Sequence, residues 1–305
     1  MSDIVILGVF VADTAYRADR QPRMGETILG RSFALGPGGK GSNQAVAAAR
    51  AGGRVTFLSK LGRDTFGDMA MDTWAAAGVV PAVERGETPT GAAYIFIEEG
   101  SGDNAIIIAP GAAAEIDAAF IDQHAGLIGS ARVFVTQLEQ PMQAALRALT
   151  VARKGRAITV LNPAPAAELP DGMLALCDYV TPNETEAEAL TGLAVTDLDT
   201  ARRAGRALLA QGVRRAAILT LGAQGALFHS ADRSIHVPAF DAGPVVETTG
   251  AGDAFNGGFA AAVAEGMDPE EATRFGCATA AISVTRPGTA PSMPDRAEVL
   301  ALLGR

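Results

Sequence analysis

At 305 residues the chain is long enough to bury a large core, and 48% hydrophobic with 19% charged residues describes a globular protein. A formal net charge of −9 with no Lys/Arg run argues against nucleic acid as a partner, so any phosphate must be held locally, by backbone N–H groups and a few cations. Two cysteines argue against a disulfide framework, and no stretch approaches the roughly 18 apolar residues of a membrane span; a soluble cytoplasmic protein is expected.

The opening MSDIVILGVF lacks a basic leader region and reads as a first strand at residues 4–7. Strand-like runs recur at 55–59, 133–136, 157–161, 179–181 and 216–220, with Ala/Leu/Arg stretches of helical length at 44–51, 141–154 and 200–211. This alternation predicts parallel βαβ units and an α/β fold; the near-continuous apolar strands predict helices on both faces of the sheet. Two regions break the rhythm. Residues 9–36 hold no good helix but include GETILGRSFALG, and residues 90–108 read as two β-rich runs around Gly100, Ser101 and Gly102. Four extra strands in a small separate sheet, a flap over the main sheet's active edge, are the expectation; two ordinary surface hairpins are the alternative. An α/β stretch separates the two regions, so they are not a domain of their own, and residues 1–305 are read as one. The tail is a Pro-rich loop followed by a short helix starting near Pro294 and Asp295.

Five segments carry potential chemistry. GPGGKGSNQAVAAARAGG (36–53) is a Gly-rich turn entering a helix, with Lys40 and Asn43 as its strongly polar side chains. It suits an anion or sugar hydroxyls, or is a plain helix start; its spacing fits neither a P-loop nor a dinucleotide fingerprint. TQLEQP (136–141) puts Glu139 after a strand, at the edge where α/β sheets bind ligands, or simply near a helix N-terminus. In TPNETEAEAL (181–190), Asn183 is a plausible N-cap and Glu186 its capping-box partner. LTLGAQGAL (219–227) is a strand, a turn from Gly222 to Gly225, and a second strand, which turn chemistry alone explains. In TTGAGDAFNGG (248–258), Gly250, Ala251 and Gly252 leave N–H groups uncovered at a helix start, and Asp253 stands in its first turn. That arrangement suits a phosphoryl group with a base beside it, against the alternative of a Gly-rich cap.

Together these segments resemble the ribokinase (PfkB) family of carbohydrate kinases over essentially the whole chain. GGKGSNQA through Gly62 is similar to the family's N-terminal signature and ETTGAGDAFNGG to its C-terminal one, while QLEQP, LNPAPA and TPNETEAE strengthen the likeness. The resemblance implies a three-layer α/β/α fold with a mostly parallel sheet, and a β lid that also makes a homodimer contact. It implies ATP- and Mg²⁺-dependent phosphorylation of a sugar primary hydroxyl, O5 in ribose. Asp253 would be the base, and Gly250, Ala251 and Gly252 the anion hole. The sugar would meet Asp13, Gly39, Lys40, Gly41, Ser42, Asn43 and Glu139. ATP would meet Asn183, Thr220, Leu221, Gly222, Ala223, Gln224, Gly225, Gly252 and Cys277, with Glu186 near Mg²⁺ through water. A monovalent cation, usually K⁺, would draw on Glu247, Thr249, Ser283, Arg286, Gly288 and Ser292. Three positions depart from the pattern: Val11 in GVFVAD replaces a usual sugar-binding Asn, Glu247 a usual Asp, and Cys277 a frequent His. The first opens 2-deoxyribose, another sugar or a nucleoside as substrate; a non-catalytic sugar-binding protein is the reading from another class.

Overall fold

A computed structural model describes residues 3–305. In chain order its elements are β1 (Ile4–Leu7), β2 (Val11–Ala18), β3 (Ser32–Gly38), α1 (Lys40–Arg50), β4 (Val55–Gly62), α2 (Thr65–Ala77), β5 (Val80–Gly86), β6 (Thr90–Glu98) and β7 (Asn104–Gly111). There follow α3 (Ala118–Gln123), α4 (Ala125–Ser130), β8 (Val133–Thr136), α5 (Met142–Lys154), β9 (Ile158–Leu161), β10 (Tyr179–Val180), α6 (Glu184–Thr191) and α7 (Leu198–Ala210). The last are β11 (Ala216–Thr220), β12 (Ala226–Ser230), β13 (Ser234–Val237), α8 (Ala251–Glu265), α9 (Pro269–Ser283) and α10 (Arg296–Leu302).

The main sheet runs β13-β12-β11-β10-β9-β8-β1-β4-β5, parallel from β11 to β5, with β12 and β13 antiparallel at one end. Alternate residues of each strand enter different cores. Ile4, Ile6, Val133, Val135 and Ile218 pack in the layer of α1, α2, α8, α9 and α10, whereas Val5, Leu7, Phe134 and Leu219 pack with α3 to α7. Burial on both faces is why these strands read as unbroken apolar runs. From β1 the chain moves out to β4 and β5, then returns to lay β8 on the other side of β1. The strand order thus reverses between β1 and β8, and a crevice opens at their carboxyl ends.

The second sheet, β3-β2-β6-β7, takes its strands from the two irregular regions, as expected. Helix α1 begins at Lys40, four residues before the expected 44, because tertiary contacts outweigh the weak helix propensity of Gly-Ser-Asn. Gly39 enters the helix at φ 89°, and a Cβ on Gly41 would stand 2.6 Å from the Gly8 Cα, so two glycines let α1 rest on the end of β1. The NGG of the opening α8 motif is likewise packing. A Cβ on Gly257 would meet Ala47 Cβ at 2.4 Å, and one on Gly258 would meet Thr279 Oγ1 at 2.4 Å, so α8 lies tight between α1 and α9.

Candidate active site

Asp253 is the third residue of α8, which Gly250 opens at φ 83°. The residue is only 6% exposed, and each carboxylate oxygen holds one hydrogen bond with acceptor capacity to spare: Asn43 Nδ2 donates to Oδ2 at 3.1 Å and Gln44 Nε2 to Oδ1 at 3.0 Å. Burial raises its pKa, while the Lys40 charge and the two amide bonds pull against that rise. At the same helix start, the N–H groups of Gly250, Gly252 and Asp253 meet no acceptor among the described residues. The Ala251 N–H, also expected in the anion hole, donates to Thr248 O at 3.1 Å in this structure. A Cβ on Gly252 would meet nothing within 4 Å, so no side chain covers that residue.

Two more carboxylates converge here. Glu139 Oε2 accepts from the Lys40 N–H at 2.8 Å, so Glu139 caps α1 across the crevice and not the helix that follows it in sequence. Asp13 lies so close to Gly38 that a Cβ there would come within 2.2 Å of its Oδ2. Burial, with repulsion from Asp253, pushes Asp13 up to about 6 and Glu139 up to about 7; Lys40 restrains Glu139, and Glu247 adds to Asp13. Asn43 Oδ1 is buried without a partner among the described residues, an acceptor left for a ligand hydroxyl. Ser42, expected near the sugar, turns its hydroxyl to the core. Fully buried, it accepts a hydrogen bond from Trp74 Nε1 at 2.9 Å, because the first turn of α1 rotates it into the core. Gly41, buried against Gly8, serves close packing there.

Five polar residues not singled out from sequence complete the site. Gln44 Nε2 also donates to Asn162 Oδ1 at 3.0 Å, and Gln44 Oε1 accepts from Gln137 Nε2 at 2.6 Å. Asn162 Nδ2 donates to Thr181 O at 3.1 Å, Thr181 Oγ1 to Asn256 Oδ1 at 2.6 Å, and Asn256 Nδ2 to Gly252 O at 2.8 Å. Their sequence signal was available: Gln137, Asn162 and Thr181 each stand just past the apolar run of a strand.

Around β10 and β11, most of the residues expected at the nucleotide form one group. Asn183 makes the expected capping box with Glu186, whose Oε2 accepts from the Asn183 N–H at 2.9 Å and whose Oε1 accepts from Asn183 Nδ2 at 3.1 Å. Asn183 bridges Thr220, and the turn through Leu221, Gly222, Ala223 and Gln224 closes when the Leu221 N–H donates to Gly225 O at 2.8 Å. Cys277 is buried on α9 with its thiol pushed up to about 12 by desolvation, an uncharged sulfur and no nucleophile. Glu247 Oε2 accepts from the Gly288 N–H at 2.8 Å. Ser283 and Ser292 hydroxyls donate to Ala280 O and Thr289 O, and the Arg286 guanidinium pairs with Glu298, leaving backbone carbonyls as its means of reaching a cation. Among the described residues, no three His, Cys, Asp or Glu side chains form a metal cluster.

The pfkB family carbohydrate kinases match this chain over residues 1–296. The chain belongs to that family. As a pfkB-family member it is 38% identical over 304 residues to the ribokinase of Haemophilus influenzae, covering 98% of each chain. It is also 38% identical over 296 residues to the deoxyribokinase of Salmonella typhi, covering 96% of each. Arabidopsis thaliana ribokinase, solved with ribose and ATP, superposes with a TM-score of 0.94 at 31% identity, covering 100% of this chain and 99% of that one. The three-layer ribokinase fold and the β lid are therefore those of this family's kinases.

Proposed function

We propose that this pfkB-family kinase transfers the γ-phosphoryl group of ATP to the primary hydroxyl of a pentose, D-ribose, giving D-ribose 5-phosphate. One observation carries the reading: a buried carboxylate, Asp253, stands beside the Gly250 and Gly252 N–H groups, which have no partner among the described residues. Full-length similarity to proteins named ribokinase supports it.

Asp13, Gly39, Lys40, Asn43 and Glu139 gather at the start of α1 and would hold the sugar hydroxyls. Asp253 accepts the proton of the attacking hydroxyl; the O–H bond breaks, its electron pair bonds the γ-phosphorus, and the bond from that phosphorus to the β–γ bridging oxygen breaks, its electrons leaving with ADP. Burial that raises the Asp253 pKa makes it the stronger base, and the acid formed is neutral, which a desolvated site tolerates. The helix-start N–H groups stabilise charge on the phosphoryl oxygens. ATP would supply the phosphoryl group and Mg²⁺ would neutralise its charge, at a helix start where no side chain covers Gly252. Asn183 and the turn from Thr220 to Gly225 would hold the nucleotide, Glu186 the Mg²⁺ through water, and Glu247, Thr249 and the 283–292 carbonyls a K⁺ ion.

A second reading, 2-deoxyribose, rests on Val11. It lies two residues before Asp13 on β2, hence on the same sheet face, and offers a buried apolar group beside a hydroxyl-binding acid. Substrate-dependent ADP release across D-ribose, 2-deoxyribose, other sugars and nucleosides tests both. The expected result is the highest kcat/KM on D-ribose. A lead for 2-deoxyribose, lost on Val11→Asn, would favour the second reading, and no turnover on any sugar would favour a binding protein.

A further inference from the structure

The polar groups behind Asp253 form a chain with a defined direction. A carboxylate only accepts hydrogen bonds, so Gln44 must turn its NH₂ toward Asp253 and its carbonyl away. Gln137 must then present its own NH₂ to Gln44 Oε1, at 2.6 Å, and its outward Oε1 is left without a partner among the described residues. Gln44 is fully buried, and its single NH₂ serves both Asp253 Oδ1 and Asn162 Oδ1 at 3.0 Å. From Asn162 the bonds continue through the Thr181 residue and Asn256 to Gly252 O, the carbonyl of the residue preceding Asp253. The chain therefore begins on the Asp253 carboxylate and ends on the backbone of the helix start that carries the unpaired N–H groups.

We propose that Gln44 is a positioning residue for phosphoryl transfer: its amide locks the rotation of the Asp253 carboxylate and, through Asn162, Thr181 and Asn256, holds that carboxylate in register with the backbone at Gly252. This inference rests on Asp253 being the base. Its logic is geometric. Asn43 fixes Oδ2 from the pocket side and Gln44 fixes Oδ1 from the core side, so the carboxyl plane is set from both ends. A buried base free to rotate would lose alignment with the attacking hydroxyl, and a misplacement of about 1 Å can cost about 100-fold in rate. The charged groups facing Asp253 are Lys40 from α1, Asp13 from β2, Glu139 beyond β8 and Glu186 from α6, with Glu247 acting on Asp13. None of them replaces the Gln44 donor.

Steady-state kinetics on Gln44→Leu and Gln44→Glu test the proposal. Gln44→Leu should lower kcat by about 100-fold while the KM values for sugar and ATP stay within about twofold. Gln44→Glu keeps the shape but places a second carboxyl against Asp253. It should move the acid limb of the kcat/KM–pH profile upward by about one unit or more, as two carboxylates sharing a site do. A residue needed only for packing would change KM and the thermal midpoint along with kcat in Gln44→Leu, and that outcome overturns the positioning role. Gln44→Glu checks that position 44 touches the Asp253 carboxylate, and an unmoved limb overturns the proposal. Asp253→Asn, measured alongside, should lose at least about 100-fold. Its loss together with unperturbed Gln44 variants overturns the positioning role alone, whereas wild-type turnover in Asp253→Asn overturns the base as well.

Discussion

Burial by itself would hold Asp253 in its neutral form, and each neighbour returns part of that cost. Lys40 does so through its charge, and Asn43 and Gln44 through hydrogen bonds to the two oxygens. Glu247 shows what one extra methylene changes. Its carboxylate reaches Gly288 N–H at 2.8 Å, while the Val246 and Glu247 N–H groups donate to Val284 O, so protein bonds hold the segment between α9 and the 290–292 turn. An Asp at 247 is shorter by one carbon and would leave this segment more reliant on a bound cation. ADP release measured with K⁺, with Na⁺ and with no monovalent ion should therefore depend less on K⁺ in the wild type than in Glu247→Asp. Equal dependence in the two proteins would remove the idea.

Among the elements, the lid sheet has most left to bury. Tyr16 pairs with Phe33 in register and lies next to Thr14 and Leu35 on the same face; Ile107 joins them through its pairing with Tyr94. Tyr16, Phe33, Leu35 and Ile107 are all exposed, with Tyr16 and Phe33 ring centroids 5.0 Å apart. An apolar and aromatic patch of this kind on a small sheet calls for a cover, and a second copy of the lid is the occupant we propose. Phe33→Glu should weaken self-association by about tenfold or more, read by sedimentation velocity across a micromolar concentration series. A wild-type protein that sediments as a monomer throughout would rule the dimer out. The lid was readable in the chain because β-rich runs interrupt a βαβ rhythm. The start of α1 was not, because Gly41, Ser42 and Asn43 have weak helix propensity and their contacts with Gly8, Trp74 and Asp253 join parts of the chain distant in sequence.

Across the whole molecule, acids gathered at one edge of the sheet should show in its stability. Folding raises Asp13 from 3.8 to about 6 and Glu139 from 4.5 to about 7. A group raised by folding stabilises the protein below its unfolded pKa, and that contribution disappears as pH climbs through the folded value. Ligand-free protein should therefore gain about 4 kcal/mol as pH falls from 8 to 5, seen as a rising thermal midpoint. Below about pH 4 the trend reverses, because Asp3, Asp64 and Glu298 are held low by their partners and lose them on protonation. Glu139→Gln should flatten the rise between pH 8 and 5 and stabilise the protein at pH 8 while impairing sugar phosphorylation. An unchanged slope in Glu139→Gln would show that the effect has another origin. Such a site trades stability for function.

The sequence by itself determined the α/β class, because apolar strand and helix periods alternate along the chain, and it exposed the Gly-rich α8 start with Asp253 in its first turn, because that signal is local. The same locality made the Asn183–Glu186 box readable within four residues. Only the tertiary structure decided which polar residues gather around Asp253. It turned Ser42 to Trp74, set Glu139 on the N-terminus of α1, and joined Gln44, Asn162 and Asn256 behind Asp253. These bonds span up to 209 residues, and their partners meet only where β1 and β8 part and α1 packs on α8. Spacing along a chain cannot encode such a meeting; the packing of two helices through Gly257 and Ala47 does.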